Sequence, residues 1–171
     1  MKKLFYTLPL LLFVIACNKE TIEETFHENG QLSSHIHYKN GHKHGIEKWF
    51  HENGQLKIHI YNRENKREGV AKWFYASGMR KGRIHYKRGR QDGLYEWFYE
   101  NGYLKVRSHW KHDTLEGLEE HFHENGQLKE SANYHHGKRE GLIQTFDKYG
   151  NTLKRSFLKR GRRHPLPEKH Q

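Results

Sequence analysis

One cysteine, three prolines and a hydrophobic share of only 33% are what this 171-residue chain has least of. Each scarcity removes a class of protein. With Cys17 alone, no disulfide framework can form within one chain. With so few apolar residues, part of them spent near the N-terminus, the remainder is too polar for a thick conventional core. The one sustained apolar run, Leu4 to Ile15, is interrupted by Pro9 and falls short of the roughly 20 apolar residues a bilayer span requires. Pro165 and Pro167 stand near the C-terminus, where they oppose a further strand. Carboxylates are also scarce: 20 Asp and Glu face 31 Lys and Arg, a formal net charge of +11. Nucleophile elbows, phosphate-binding loops and HExxH motifs are missing as well. An enzyme is therefore not expected, because a catalytic site needs convergent, non-repeating groups.

What is present is aromatic and periodic. Aromatic residues reach 13%, which opposes disorder. Phenylalanine recurs every 24 residues at Phe26, Phe50, Phe74, Phe98, Phe122 and Phe146. Glycine keeps the same interval at Gly30, Gly54, Gly78, Gly102, Gly126 and Gly150. A second glycine series runs through Gly45, Gly69, Gly93, Gly117 and Gly141. The heptapeptide Phe-His-Glu-Asn-Gly-Gln-Leu occurs at 26–32, 50–56 and 122–128. Such a period marks an array in which each unit buries its apolar side only against its neighbours.

Within a unit, Ile46 to His51 is rich in aromatic and β-branched residues, and Leu56 to Tyr61 alternates apolar with polar. Both are strand signatures. A three-residue Glu52-Asn53-Gly54 loop, with Gly54 in the left-handed region, pairs Phe50 with Leu56. Strict alternation from that pair puts Ile46, Phe50, Leu56, Ile58 and Ile60 on one face. It puts Trp49, His51, Lys57, His59 and Tyr61 on the other. The fold class is thus all-β: a single-layer antiparallel meander of stacked 24-residue hairpins. Arg80, Glu130 and the Ala76-Ser77-Gly78 turn depart from the pattern and are expected to loosen it locally.

The expected organisation is a signal peptide over 1–16, an anchor and spacer over 17–25, the array over 26–161 and a basic, disordered tail over 162–171. The units are 26–49, 50–73, 74–97, 98–121, 122–145 and a partial 146–161. Lys2 and Lys3 before the apolar run form the charged start of a secretory signal. Cys17 after Val14-Ile15-Ala16 resembles the lipidation site of bacterial lipoproteins. That resemblance implies a lipid-anchored protein of the cell envelope, and Asn18, in place of the Asp that retains lipoproteins at the inner membrane, implies the outer membrane. Loss of Lys2 and Lys3 would leave 29 basic against 20 acidic side chains. An exported basic protein is expected to meet an acidic protein or anionic envelope lipid rather than nucleic acid.

The pattern Phe-x-Glu-Asn-Gly-Gln-Leu-Lys, then Tyr-Lys-Asn-Gly, then Gly-Ile or Gly-Leu before Trp-Phe, resembles the MORN-variant repeat over residues 26–161. Proteins of this kind include those labelled YwqK-type antitoxins. The resemblance implies a hairpin sheet used for binding, with a toxin among the partners to be considered. The candidate binding face combines Trp49, Trp73 and Trp97 with Lys57, Lys81, Lys105, His59, Arg83 and Arg107, because cations interleaved with rings suit anionic or flat partners. The sixteen histidines include His35-x-His37, His42-x-His44 and His121-x-His123. Equivalent positions in successive repeats lie two strands apart, roughly 10 Å, too far to share one ion. No metal or other cofactor is expected.

Overall fold

The computed structural model describes residues 19–166. The segments assigned to a signal peptide and to Cys17 lie outside the described residues. The described chain is one antiparallel sheet of fifteen strands and no helix. In chain order these are β1 (Glu20–Phe26), β2 (Leu32–Lys39), β3 (His42–Phe50), β4 (Leu56–Arg63), β5 (Lys66–Arg67), β6 (Gly69–Phe74), β7 (Arg80–Lys87), β8 (Arg90–Phe98), β9 (Leu104–Lys111), β10 (Thr114–Leu115), β11 (Gly117–Phe122), β12 (Leu128–His135), β13 (Lys138–Phe146), β14 (Thr152–Lys159) and β15 (Arg162–His164). Sequential strands are neighbours throughout. Two short strands, β5 and β10, are the leading pieces of the strands that continue as β6 and β11.

Two kinds of turn alternate, and they form two rows at opposite ends of the strands. The first is the expected three-residue loop. The Gly54 N–H donates to the His51 carbonyl, the His51 N–H donates to the Gln55 carbonyl, and Gly54 sits at φ +79°. A Cβ is costly there, which is why glycine recurs at this position. The second is a two-residue turn with both central residues at positive φ, as at Asn40–Gly41. That is the type I′ turn whose twist matches the flanking strands. Two of these turns, Glu64–Asn65 and His112–Asp113, hold no glycine. There Asn65 Oδ1 accepts from the Lys43 N–H and Asp113 Oδ1 from the Gln91 N–H, each at 2.7 Å. These bonds tie the turn to the preceding repeat and offset part of the left-handed strain.

The loop row is stitched in the same way. The amides of Asn29, Asn53, Asn101 and Asn125 donate 23 residues ahead, to the carbonyls of Glu52, Ala76, Glu124 and Lys148. In the Ala76-Ser77-Gly78 turn, where asparagine is missing, Ser77 donates to the Glu100 carboxylate instead. The departure expected to loosen the array therefore carries a substitute bond.

Phe50 does pair with Leu56, but Trp49 pairs with Ile58. Lys57 is left out of the ladder as the extra residue of a bulge. The same slip recurs at Lys81, Lys105 and Lys129. A bulge interrupts alternation, so the expected sorting of faces is corrected. The core face carries Trp49, Ile58, Ile60, Ala71, Trp73, Ile84, Tyr86 and Trp97. Ile46 lies with Tyr61 on the opposite face, beside the Lys48–His59 pair. A second slip falls at the other glycine series, where Gly45, Gly93 and Gly141 have positive φ between mismatched pairs. Two bulges per hairpin bend the strands and increase their twist. Within this one layer Ile60 is buried to 3% and Ala71 to 1% exposure, packed with Ile84 and Tyr86 and flanked by Ile58, Trp73, Tyr95 and Trp97 on the same face.

Two further expectations change. Most of the segment expected as a spacer is β1, paired along its length with β2. The start of the expected tail is β15, paired with Phe157 to Lys159.

Candidate binding faces

The core face holds a run of rings. Trp73 and Trp97 lie with centroids 5.5 Å apart, Tyr95 stacks on Trp97 at 5.8 Å, and Trp110 follows Tyr95 at 6.2 Å. Gly82 makes this possible. It occupies the position held by Ile58 and Val106 in the adjoining repeats, and the Trp97 ring lies across it. Trp49 begins the same stripe and is anchored differently. Its Nε1 donates to Glu47, whose buried carboxylate also accepts from Lys43 and Asn62. Burial alone would raise the Glu47 pKa, but these three donors hold it below the ordinary carboxylate value.

The opposite face carries a continuous cross-strand row: Glu24, His35, Lys48, His59, Lys72, Arg83, Glu96, Arg107 and Glu120, each directly opposite the next. Its two halves differ. From Arg83 onward the charges alternate, with Arg83 and Arg107 both bonded to the buried Glu96 and Arg107 also near Glu120. At the start, His35 is paired with Glu24 at 2.7 Å. Between these pairs stand Lys48, His59 and Lys72, for which no carboxylate partner is found among the described residues. Burial, followed by the two flanking ammonium groups, lowers the His59 pKa below its ordinary value. Its Nδ1 is buried and has no hydrogen-bond partner.

The residues expected to form one binding face are therefore divided. His59, Arg83 and Arg107 belong to the charged row. Trp49, Trp73 and Trp97 are on the other side of the sheet, half-buried among core residues. This corrects the mixed cation–aromatic face: the alternation that placed the tryptophans there is broken by the bulge. Lys57, Lys81 and Lys105 are the bulge residues. Lys81 and Lys105 do lie over rings, but of Tyr75 and Tyr99, at 5.3 and 5.2 Å. Sequence reasoning missed Lys48 and Lys72 because strict alternation placed them on the apolar face, in line with Ile46 and Phe50. The signal was there in the Lys-Trp-Phe triplets at 48–50 and 72–74.

Of the repeated phenylalanines, Phe26 at the sheet edge is exposed, whereas Phe50, Phe74, Phe98, Phe122 and Phe146 are half-buried. Their carbonyls accept from His27, His51, Tyr75, Tyr99 and His123 of the preceding repeat, starting with Phe50. Gly30, Gly54, Gly78, Gly102, Gly126 and Gly150 all have positive φ. His35 and His37 meet ring to ring at 4.9 Å, but no group of three metal-ligating side chains converges among the described residues.

The MORN repeat variant model matches residues 19–40, 43–63, 67–88, 91–112 and 115–136. The chain belongs to that family. Each match ends at or just before a type I′ turn, and those after the first also begin near one, so the family unit is the hairpin around the three-residue loop. The β13–β14 hairpin repeats the same geometry beyond the last match. No curated protein matches the chain. Repeats of this family suggest a repeat-based binding scaffold.

Proposed function

We propose that this protein is a non-catalytic recognition scaffold of a bacterial cell envelope, anchored through Cys17, and that its charged face takes an acidic protein partner. The supporting observation is the Lys48–His59–Lys72 segment, three cationic or imidazole groups side by side with no carboxylate opposite them. Like charges on adjacent strands repel, and an entering Asp or Glu relieves that repulsion while offering the His59 Nδ1 a partner. Neutralisation of an incoming or exported toxin is the biological role this reading favours, because an envelope anchor places the scaffold where such a protein passes.

A second reading, attachment to anionic lipid, has its own support. Lys66, Lys87, Arg88, Arg90 and His112 gather along the row of type I′ turns. Basic residues near an anionic surface contribute roughly 1 kcal/mol each.

Capture from native envelope extract separates the two readings. Immobilised wild-type chain and its Lys48→Glu/Lys72→Glu variant would be compared by mass spectrometry of what each retains. A protein held by the wild type and released by the variant supports recognition of an acidic partner. Retention of anionic lipid alone, unaffected by the variant, moves the function to the turn row. Equal protein retention by both chains refutes the role of the charged row.

A further inference from the structure

The two ends of the sheet are open edges, and they are complementary. β1 carries Glu20, Glu23 and Glu24 and no cation, and its Ile22 and Phe26 are 56% and 62% exposed. β14 carries Lys154, Arg155 and Lys159 and no carboxylate. Its Leu153 is 67% exposed, and Tyr149 in the preceding loop is 76% exposed. Leu153 also breaks the repeat, since the equivalent bulge position holds Lys57, Lys81, Lys105 or Lys129 in the earlier units.

Repeat phase adds an independent argument. Inside the array, β5 and β6 are successive pieces of one strand, both paired with β4. At the C-terminal edge β15 occupies the phase of β5, but nothing among the described residues follows it as β6. Pro165 stands at the phase of Gly69 and Pro167 at that of Ala71. Proline lacks the N–H a ladder requires, so the sequence in this phase opposes a strand like β6. The missing piece has the phase of β1. β15 fills the positions before Thr21, leaving room for residues 21–26 of another chain.

We infer that the protein associates head to tail, with β1 of one copy completing the strand that β15 begins on the next. This interaction is separate from the proposed recognition of an acidic partner and uses different residues. The interior pairs Ile58–Trp73 and His59–Lys72 carry over as Lys154 against Thr25 and Arg155 against Glu24 of the second copy. The cross-strand row passes from Glu120 through Ser131 and Gln144 to Arg155, and then continues into Glu24 of the next molecule, opposite charge facing opposite charge. Exposed Phe26 comes beside exposed Leu153 of the second copy, and exposed Ile22 comes opposite its half-buried Phe157. Symmetric pairing is disfavoured, because β1 against β1 opposes carboxylates and β14 against β14 opposes cations. A heterologous contact of this kind leaves one free edge of each type and extends without a fixed number.

Sedimentation velocity of the full chain in non-ionic detergent tests this over a range of protein concentrations. The wild type is expected to grow with concentration past the dimer. Glu24→Arg and Arg155→Glu should each weaken association about tenfold, by turning an attractive cross-strand pair into a repulsive one. The doubly swapped chain should regain it. Far-UV circular dichroism of each variant verifies that the array is folded. A monomer at every concentration, a plateau at the dimer, or single swaps that assemble like wild type would each overturn the inference.

Discussion

Gly82→Val separates two physical rules by the sign of its effect. By local propensity the change should help, since glycine inside a strand costs roughly 0.5–1 kcal/mol relative to alanine and valine is among the best strand formers. The neighbouring repeats even place Ile58 and Val106 at this position. The structure argues the reverse. A Cβ built on Gly82 falls 2.1 Å from Trp97 Cε3 and 2.3 Å from Cζ3. These are atoms of a rigid ring held between Trp73 and Tyr95. The ring cannot yield by a few tenths of an ångström. It must leave its position, and overpacking of this kind typically costs 1–3 kcal/mol. We expect a net loss of about 1–3 kcal/mol, and a larger effect from valine than from alanine. Urea unfolding followed by far-UV circular dichroism gives the stability, and tryptophan fluorescence reports the displaced ring. A midpoint equal to or above that of the wild type would refute the assignment of Gly82 as the space that Trp97 occupies.

Two further expectations concern the charged row. Glu96→Gln removes the carboxylate shared by Arg83 and Arg107. Because both guanidinium groups are more than a third exposed, solvent screening limits the loss to about 1 kcal/mol, measurable as a lower urea midpoint. His59 has a lowered pKa in the folded state, so the unfolded chain binds its proton more readily. Its contribution to stability is complete above the ordinary histidine value of about 6.5 and is lost as pH falls through the lower folded value. His59→Gln should therefore flatten the decline in Tm below pH 6.5, and an unchanged slope would show that other groups govern acid unfolding.

Much of the fold was legible because period and turn chemistry are local. The 24-residue interval fixed the hairpin stack, and Gly54 in a three-residue loop fixed the Phe50–Leu56 pair. The face assignment failed one residue later. Lys57 looks like an ordinary polar strand residue, and nothing in its chemistry marks it as the one left outside the ladder. A bulge depends on how two strands meet, which is a property of the pair rather than of either strand. That single residue carried the tryptophans to the wrong side and hid Lys48 and Lys72. The strand within Glu20–Phe26 was obscured for a different reason. Three glutamates in seven residues resemble a solvated linker, yet an edge strand tolerates charge because one of its sides meets water.

The asparagine loops and type I′ turns bond to the repeat beside them, and these bonds recur at the same interval along most of the array. Removal of 24 consecutive residues would rejoin a turn of each kind to a partner of its own kind. The length of such a protein is therefore quantised, and copies differing by whole hairpins could all fold. Loss of the unit 50–73 would bring Lys48 directly against Arg83 and delete His59 and Lys72 together. The chain can thus be rewritten in recombinational steps that edit its charge sequence like a line of type, without a new fold having to be found.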